Sequence, residues 1–213
     1  MTTAFDSTSE HGESVPGTSQ ASHTSRVPQE PLAAHGCETV ATGALPGHLQ
    51  NLEEIENVFL HVPGCDCFVC SRTHGLGFRL RFFRDRAAGL VRAAVPPVRL
   101  DFSSFPGVLH GGFQAMLLDE VMAWAALGLA GKMTFTARME TRFRGTVHTN
   151  EPLELAAGVE RAAARLILCH GRILVQGETR AEATGTFYVP TPEEFRGITG
   201  VAEVPESVRT RLR

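Results

Sequence analysis

Two adjacent carboxylates, Asp119 and Glu120, lie near the middle of an almost wholly apolar run, FPGVLHGGFQAMLLDEVMAWAALGL, over residues 105–129. Removing a carboxylate from water is costly unless it is paired, so an acid in such a run implies a cleft and chemistry there rather than stability. The chemistry open to it is general-base activation of a water, or direct nucleophilic attack. Successive residues on a helix are about 100° apart, so the two acids cannot face the same way. Asp119 is read as the catalytic carboxylate and Glu120 as an ion-pair partner. Upstream, the turn signal Pro106-Gly107 leads into His110-Gly111-Gly112. Unpaired amides at a helix N-terminus, at the positive end of the dipole, suit a developing oxyanion. Glycine there allows close approach of a substrate, or alternatively close packing of the helix start. His110, at the helix entrance, orients substrate or loop, or bonds the backbone.

These residues must be carried by a helix over the apolar run, ended by Gly128 and Gly131. The run is long enough to cross a membrane. Two central carboxylates, at about 2.5–3.5 kcal/mol each in such a span, favour instead a core helix wrapped by a sheet. Residues 77–84 and 90–95 read as a hairpin. After the helix, alternating segments at 135–147, 153–162, 166–174 and 179–189 read as further strands, with a turn at Gln176-Gly177. Thr191-Pro192-Glu193-Glu194 is a helix-start signal, and the rest of the C-terminal segment reads as weakly structured. Residues 49–60 place Leu49, Leu52, Ile55 and Phe59 on one helical face. The fold class expected is α+β: one long helix wrapped by a curved antiparallel sheet, the hot-dog architecture.

The chain has 213 residues. Residues 1–56 hold eight acidic residues and one basic, whereas the remainder has a small basic excess. That excess suits an anionic nucleotide-bearing ligand and is far too small for nucleic acid. Residues 1–48 lack apolar periodicity and read as a disordered tail, 49–190 as the domain and 191–213 as a C-terminal extension. The N-terminus has neither the basic nor the apolar region of a secretion signal, and the expected location is cytoplasmic, without membrane contact.

With these elements placed, the run VLHGGFQAMLLDE resembles the helix motif of the PaaI-type hot-dog acyl-CoA thioesterases. In that family an HGG triplet is followed by an acid nine positions after the histidine, here Asp119 after His110. TARMETRFRGTV resembles the strand after the helix, CFVC with GLGFRLRF the entry into the first strand, and EATGTFYVP the last strand. The likeness covers about residues 61–190. It implies hydrolysis of an acyl-CoA thioester to free acid and CoA, with Asp119 as base or nucleophile and the helix N-terminal amides, Gly111 and Gly112, as oxyanion hole beside His110. It also implies no cofactor beyond the CoA in the substrate. Thr136 matches a family position where a hydroxyl can assist the water. Some members carry an asparagine six positions before the histidine, where this chain has Ser104, a candidate substrate contact. Arg142, Arg144 and Arg165 are candidates for CoA only by charge.

Gly111 and Asp119 are eight residues apart, about 12 Å along one helix, so one thioester cannot touch both within hydrogen-bond reach. Two subunits per site are required, and the resemblance implies the same: a homodimer or a dimer of dimers. Two other readings compete. A hot-dog dehydratase or hydratase would need a loop histidine and an early helical glutamate, where this chain has VRLDFSS and Phe113-Gln114. A non-catalytic acyl-CoA-binding protein would have no use for Asp119.

His61, Cys65, Cys67, Cys70 and His74 have the types and spacing of metal ligands. With one CxxC and no second knuckle downstream, they read as a buried thiol cluster or a disulfide, and no metal is expected. Cys169-His170 falls in a strand, where the two side chains point to opposite faces and cannot form a catalytic pair.

Overall fold

A computed structural model describes residues 46–213. The tail reading for residues 1–48 falls almost wholly outside the described residues, as does Cys37. Within them, the chain runs β1 (Glu53–Glu54), β2 (Phe83–Asp85), β3 (Leu90–Val95), β4 (Ser103–Phe105), β5 (Val108–Leu109), α1 (Gly111–Ala130), β6 (Phe135–Phe143), β7 (Leu153–Ala162), β8 (Leu166–Val175), β9 (Glu178–Tyr188), α2 (Pro192–Thr199) and α3 (Glu206–Arg209). Seven strands form one antiparallel sheet in the order β1-β2-β3-β7-β8-β9-β6, and β4 and β5 pair as a separate hairpin leading into α1.

The single long helix lies against β3, β7, β8 and β9, which is the hot-dog arrangement. Its length and apolarity would suffice for a membrane span, but Leu117, Leu118, Val121, Met122, Trp124 and Ala125 are buried inside the domain. Trp124 stacks on Phe82 with ring centroids 4.4 Å apart and meets Phe59 edge-on at 5.5 Å. Under Met122 the sheet presents a floor of small residues. A Cβ added at Gly171 would lie 2.9 Å from Met122 Cγ, and one at Gly185 would lie 2.6 Å from the Phe187 ring. The helix can seat this closely because those side chains are missing. Gly131, with φ of 66°, ends α1 in the left-handed conformation open to glycine. Gly128 lies inside the helix and does not end it.

Three local expectations are corrected. Residues 49–60 are not a helix: 3₁₀ turns at Gly47–Leu49 and Val58–His61 flank β1, because Glu53 and Glu54 are drawn onto the sheet edge by Arg84, Arg86, Arg81 and Arg72. The strand expected from residue 77 begins only at Phe83. Arg79 takes φ of 54°, and the amides of Phe78 and Leu80 bond the CxxC loop at Phe68 O and Val69 O, both at 2.8 Å. The C-terminal segment is ordered: Val204, Val208 and Leu212 are buried, and Arg211 O accepts the Met133 amide at 3.0 Å. At α2, Thr191 makes the full capping box with Glu194.

Candidate active site

Asp119 lies in the middle of α1, half-buried, on the side of the helix that β6 follows. The first turn of chain after α1 brings Thr136, in β6, back to it. The Thr136 hydroxyl donates to Asp119 Oδ1 at 2.7 Å. Burial raises the Asp119 pKa, and the Thr136 hydrogen bond acts the other way by favouring the charged form. A carboxylate held this way keeps its second oxygen available while being more basic than one in water.

The helix start is built by His110. Its ring Nδ1 accepts the Gly112 amide at 2.8 Å, so it is the N-cap of α1, in the tautomer that carries its proton on Nε2. His110 O takes the amides of Phe113 and Gln114 at 3.0 and 3.2 Å. The Gly112 N–H is therefore occupied within the chain, which leaves Gly111 as the glycine of the pair with an unbonded amide. The Phe143 ring lies over Gly111, 3.3 Å from where a Cβ would stand, although that ring is itself largely exposed. Ser104 is exposed in β4 and makes no hydrogen bond to His110, Asp119 or Thr136. The structure thus joins Asp119 to Thr136 and His110 to Gly112. It keeps the two groups eight residues apart on one unbroken helix, about 12 Å along its axis.

Glu120 does not form the ion pair expected of it: among the described residues no arginine, lysine or histidine pairs with it. Its Oε1 accepts the Trp124 indole N–H at 2.9 Å, and its two oxygens lie 3.7 and 3.6 Å from Cys67 Sγ. Desolvation, with the Cys67 sulfur nearby, pushes its pKa up to about 7. Cys67 is held low by the thiol of Cys70 and by backbone amides, while Cys70 is pushed up by the same contact and by burial. The disulfide reading does not hold, since Cys65, Cys67, Cys70 and Cys169 are free thiols. His61 bonds Ser207 Oγ at 2.8 Å, and His74 Nδ1 accepts the Leu76 amide at 3.2 Å, so neither histidine joins the cysteines. The CxxC spacing flagged the loop, but nothing local in the chain could place Glu120 beside it, 53 residues away.

Arg142, Arg144 and Arg165 pair within the chain with Glu140, Glu182 and Glu194. An open cleft lined by Arg84, Arg86, Gly131 and Arg211 lies at the far end of α1 from His110 and includes none of the site residues above.

Residues 106–186, from the turn before α1 to the end of β9, match the thioesterase superfamily. The chain is similar to a thioesterase superfamily protein of known crystal structure, with 28% identity and a TM-score of 0.52 over 57% of this chain and 62% of that one. A phenylacetic acid degradation-related protein from Ralstonia eutropha JMP134 aligns with 23% identity and a TM-score of 0.45, over 50% of this chain and 80% of that chain. A hypothetical thioesterase protein from Streptococcus pneumoniae TIGR4, crystallised with coenzyme A, aligns with 20% identity and a TM-score of 0.45, over 49% and 82%. Among curated proteins none matches the chain. A single core helix opened by His110-Gly111-Gly112 and wrapped by an antiparallel sheet is the hot-dog fold, and residues 106–186 of it match the thioesterase superfamily.

Proposed function

We propose that the protein hydrolyses an acyl-CoA thioester at a site shared by two copies of the chain. The observation that carries this reading is the Asp119 carboxylate, raised in basicity by burial and oriented by the Thr136 hydroxyl, inside the superfamily match. Asp119 takes a proton from a water, which attacks the thioester carbonyl carbon. The charge that develops on the carbonyl oxygen is met by the Gly111 N–H at the helix N-terminus of the second copy, where the dipole and the unbonded amide favour it. The tetrahedral intermediate collapses with cleavage of the C–S bond. The proton held by Asp119 passes to the departing sulfur to give the CoA thiol and regenerate the carboxylate, and no cofactor beyond the substrate is needed. The acyl-CoA class rests on the PaaI-type pattern of His110-Gly111-Gly112 and Asp119. Ser104, exposed in the hairpin before α1, is proposed as a substrate contact.

Pairing of two copies is supported by β6. It is an edge strand of the sheet, bonded among the described residues to β9 alone, and most of its residues are exposed. An open edge of nine residues invites addition of another strand. The test is release of free thiol from a panel of acyl-CoAs by the wild type and by Asp119→Asn. The wild type turns over at least one acyl-CoA, and the variant is slower by about 10² to 10⁴, the usual worth of a positioned acid–base group. Absence of thiol release over the whole panel would move the reading to an acyl-CoA-binding protein, and an unimpaired variant would remove Asp119 from the chemistry.

A further inference from the structure

We propose that Cys67, Cys70 and Glu120 form a zinc site that ties the CxxC loop to α1. The sulfurs of the two cysteines and a carboxylate oxygen of Glu120 all lie within 4.8 Å of one another. The Glu120 oxygens stand 3.6 and 3.7 Å from Cys67 Sγ. That is the edge of a zinc tetrahedron: bond lengths of about 2.3 Å to sulfur and 2.1 Å to oxygen put such ligands about 3.6 Å apart.

The surroundings prepare each ligand. Residues 67–71 form a tight turn, closed by the Ser71 amide on Cys67 O at 3.0 Å, which points both sulfurs of the CxxC the same way. The Val69 amide approaches Cys67 Sγ at 3.4 Å, a donation that favours a thiolate there. The Cys70 carbonyl is pinned by the Asn57 amide nitrogen at 3.0 Å. On the helix side, the Trp124 indole N–H fixes Glu120 Oε1 at 2.9 Å, the orienting partner that ligating carboxylates require. Trp124 is itself locked by stacking on Phe82. Among the described residues no cationic side chain pairs with Glu120, so a divalent ion bound by the three groups would meet no competing partner there. Two sulfur donors select zinc over magnesium or calcium. Three protein ligands leave a fourth position, which a water fills on the more open side of Cys67.

The site is a clamp, not the place of hydrolysis. Asp119 points about 100° round the helix from Glu120. The loop from Val62 to Phe82 has little regular secondary structure of its own, and the ion fastens it to the turn of α1 that carries Asp119.

The full chain, purified under reducing conditions, equilibrated with zinc and desalted, is expected to retain about one zinc per chain by atomic emission. Replacement by cobalt(II) should give thiolate-to-cobalt charge-transfer absorption. Cys67→Ser/Cys70→Ser should lose both signals. Because that double variant can fail to fold, Glu120→Gln is the second test. It keeps an oxygen for Trp124, should fold with an unchanged circular dichroism spectrum, and should bind zinc at least about tenfold more weakly. Cys65→Ser, which changes a thiol outside the group, should keep the metal. Failure of the reduced wild type to hold stoichiometric zinc, or full zinc content in Glu120→Gln or the double variant, would overturn the proposal. Thioester hydrolysis is not the readout, so a negative result here leaves the proposed activity standing, and the converse holds too.

Discussion

Asp119 and Glu120 are neighbours in different surroundings, and the roles proposed for them differ by what each meets. Asp119 meets a hydroxyl that favours its charged form, and Glu120 meets an indole N–H and two sulfurs in a drier place. On the proposed reading Thr136 is therefore a positioning residue for Asp119. A hydrogen bond to a charged group contributes about 1.5–3 kcal/mol, so Thr136→Val should lower kcat about ten- to a hundredfold with the fold retained by circular dichroism, and Thr136→Ser should restore most of it. If valine were tolerated with full turnover, the hydroxyl would be an ordinary strand contact. His110 acts first on structure. Its ring caps α1 through the Gly112 amide, so His110→Ala should cost about 0.5–2 kcal/mol of stability in denaturant titration, besides any effect on turnover. An unchanged midpoint would show that the cap is dispensable.

At the level of elements, α1 sits where it does because β8 and β9 are floored with small residues beneath it. Gly185 faces the ring of Phe187, which is fully buried and has nowhere to move. Gly185→Ala should therefore overpack the core by about 1–3 kcal/mol. At about 2–4 °C per kcal/mol for a chain of this size, its thermal midpoint should drop by several degrees. Cys169, register partner of Gly185 in β8, is in the same layer. Burial pushes its thiol up to about 12, and only thiolates react readily, so at pH 8 it should resist alkylation in the folded protein and be labelled on unfolding, as read by peptide mass mapping. Labelling of the native state would mean that the helix and sheet separate there.

For the whole molecule the proposed reading turns on Gly111 and Asp119 sharing one unbroken helix. If both act on one thioester, as proposed, the site needs two chains, facing each other through surfaces such as the edge of β6. Light scattering combined with the thiol-release assay should find activity only in a dimer or larger assembly. An active monomer would refute the shared site. The large exposed rings of Phe105 and Phe143, at the two ends of this region of the chain, are the apolar groups that such pairing would cover.

What the sequence determined by itself was whatever rests on local pattern. The apolar run with Gly131 after it set α1, alternation set β3 and β7–β9, and Thr191 with Glu194 set the start of α2, because helix and strand periodicity and capping are properties of neighbouring residues. Asp119 could be singled out for the same reason: a carboxylate in an apolar helix is anomalous on its own evidence. Other features depended on partners remote in the chain. The arginines that pull Glu53 and Glu54 into an edge strand come about thirty residues later. The C-terminal residues are ordered only because Val208 and Leu212 find a buried place and Arg211 O finds the Met133 amide. Only the tertiary structure decided that Gly112 gives its amide to His110, a choice made by ring geometry. It alone, too, set Glu120 against Cys67 and Cys70 instead of a cation, because which face of α1 meets the CxxC loop is fixed by how the whole helix seats on the sheet.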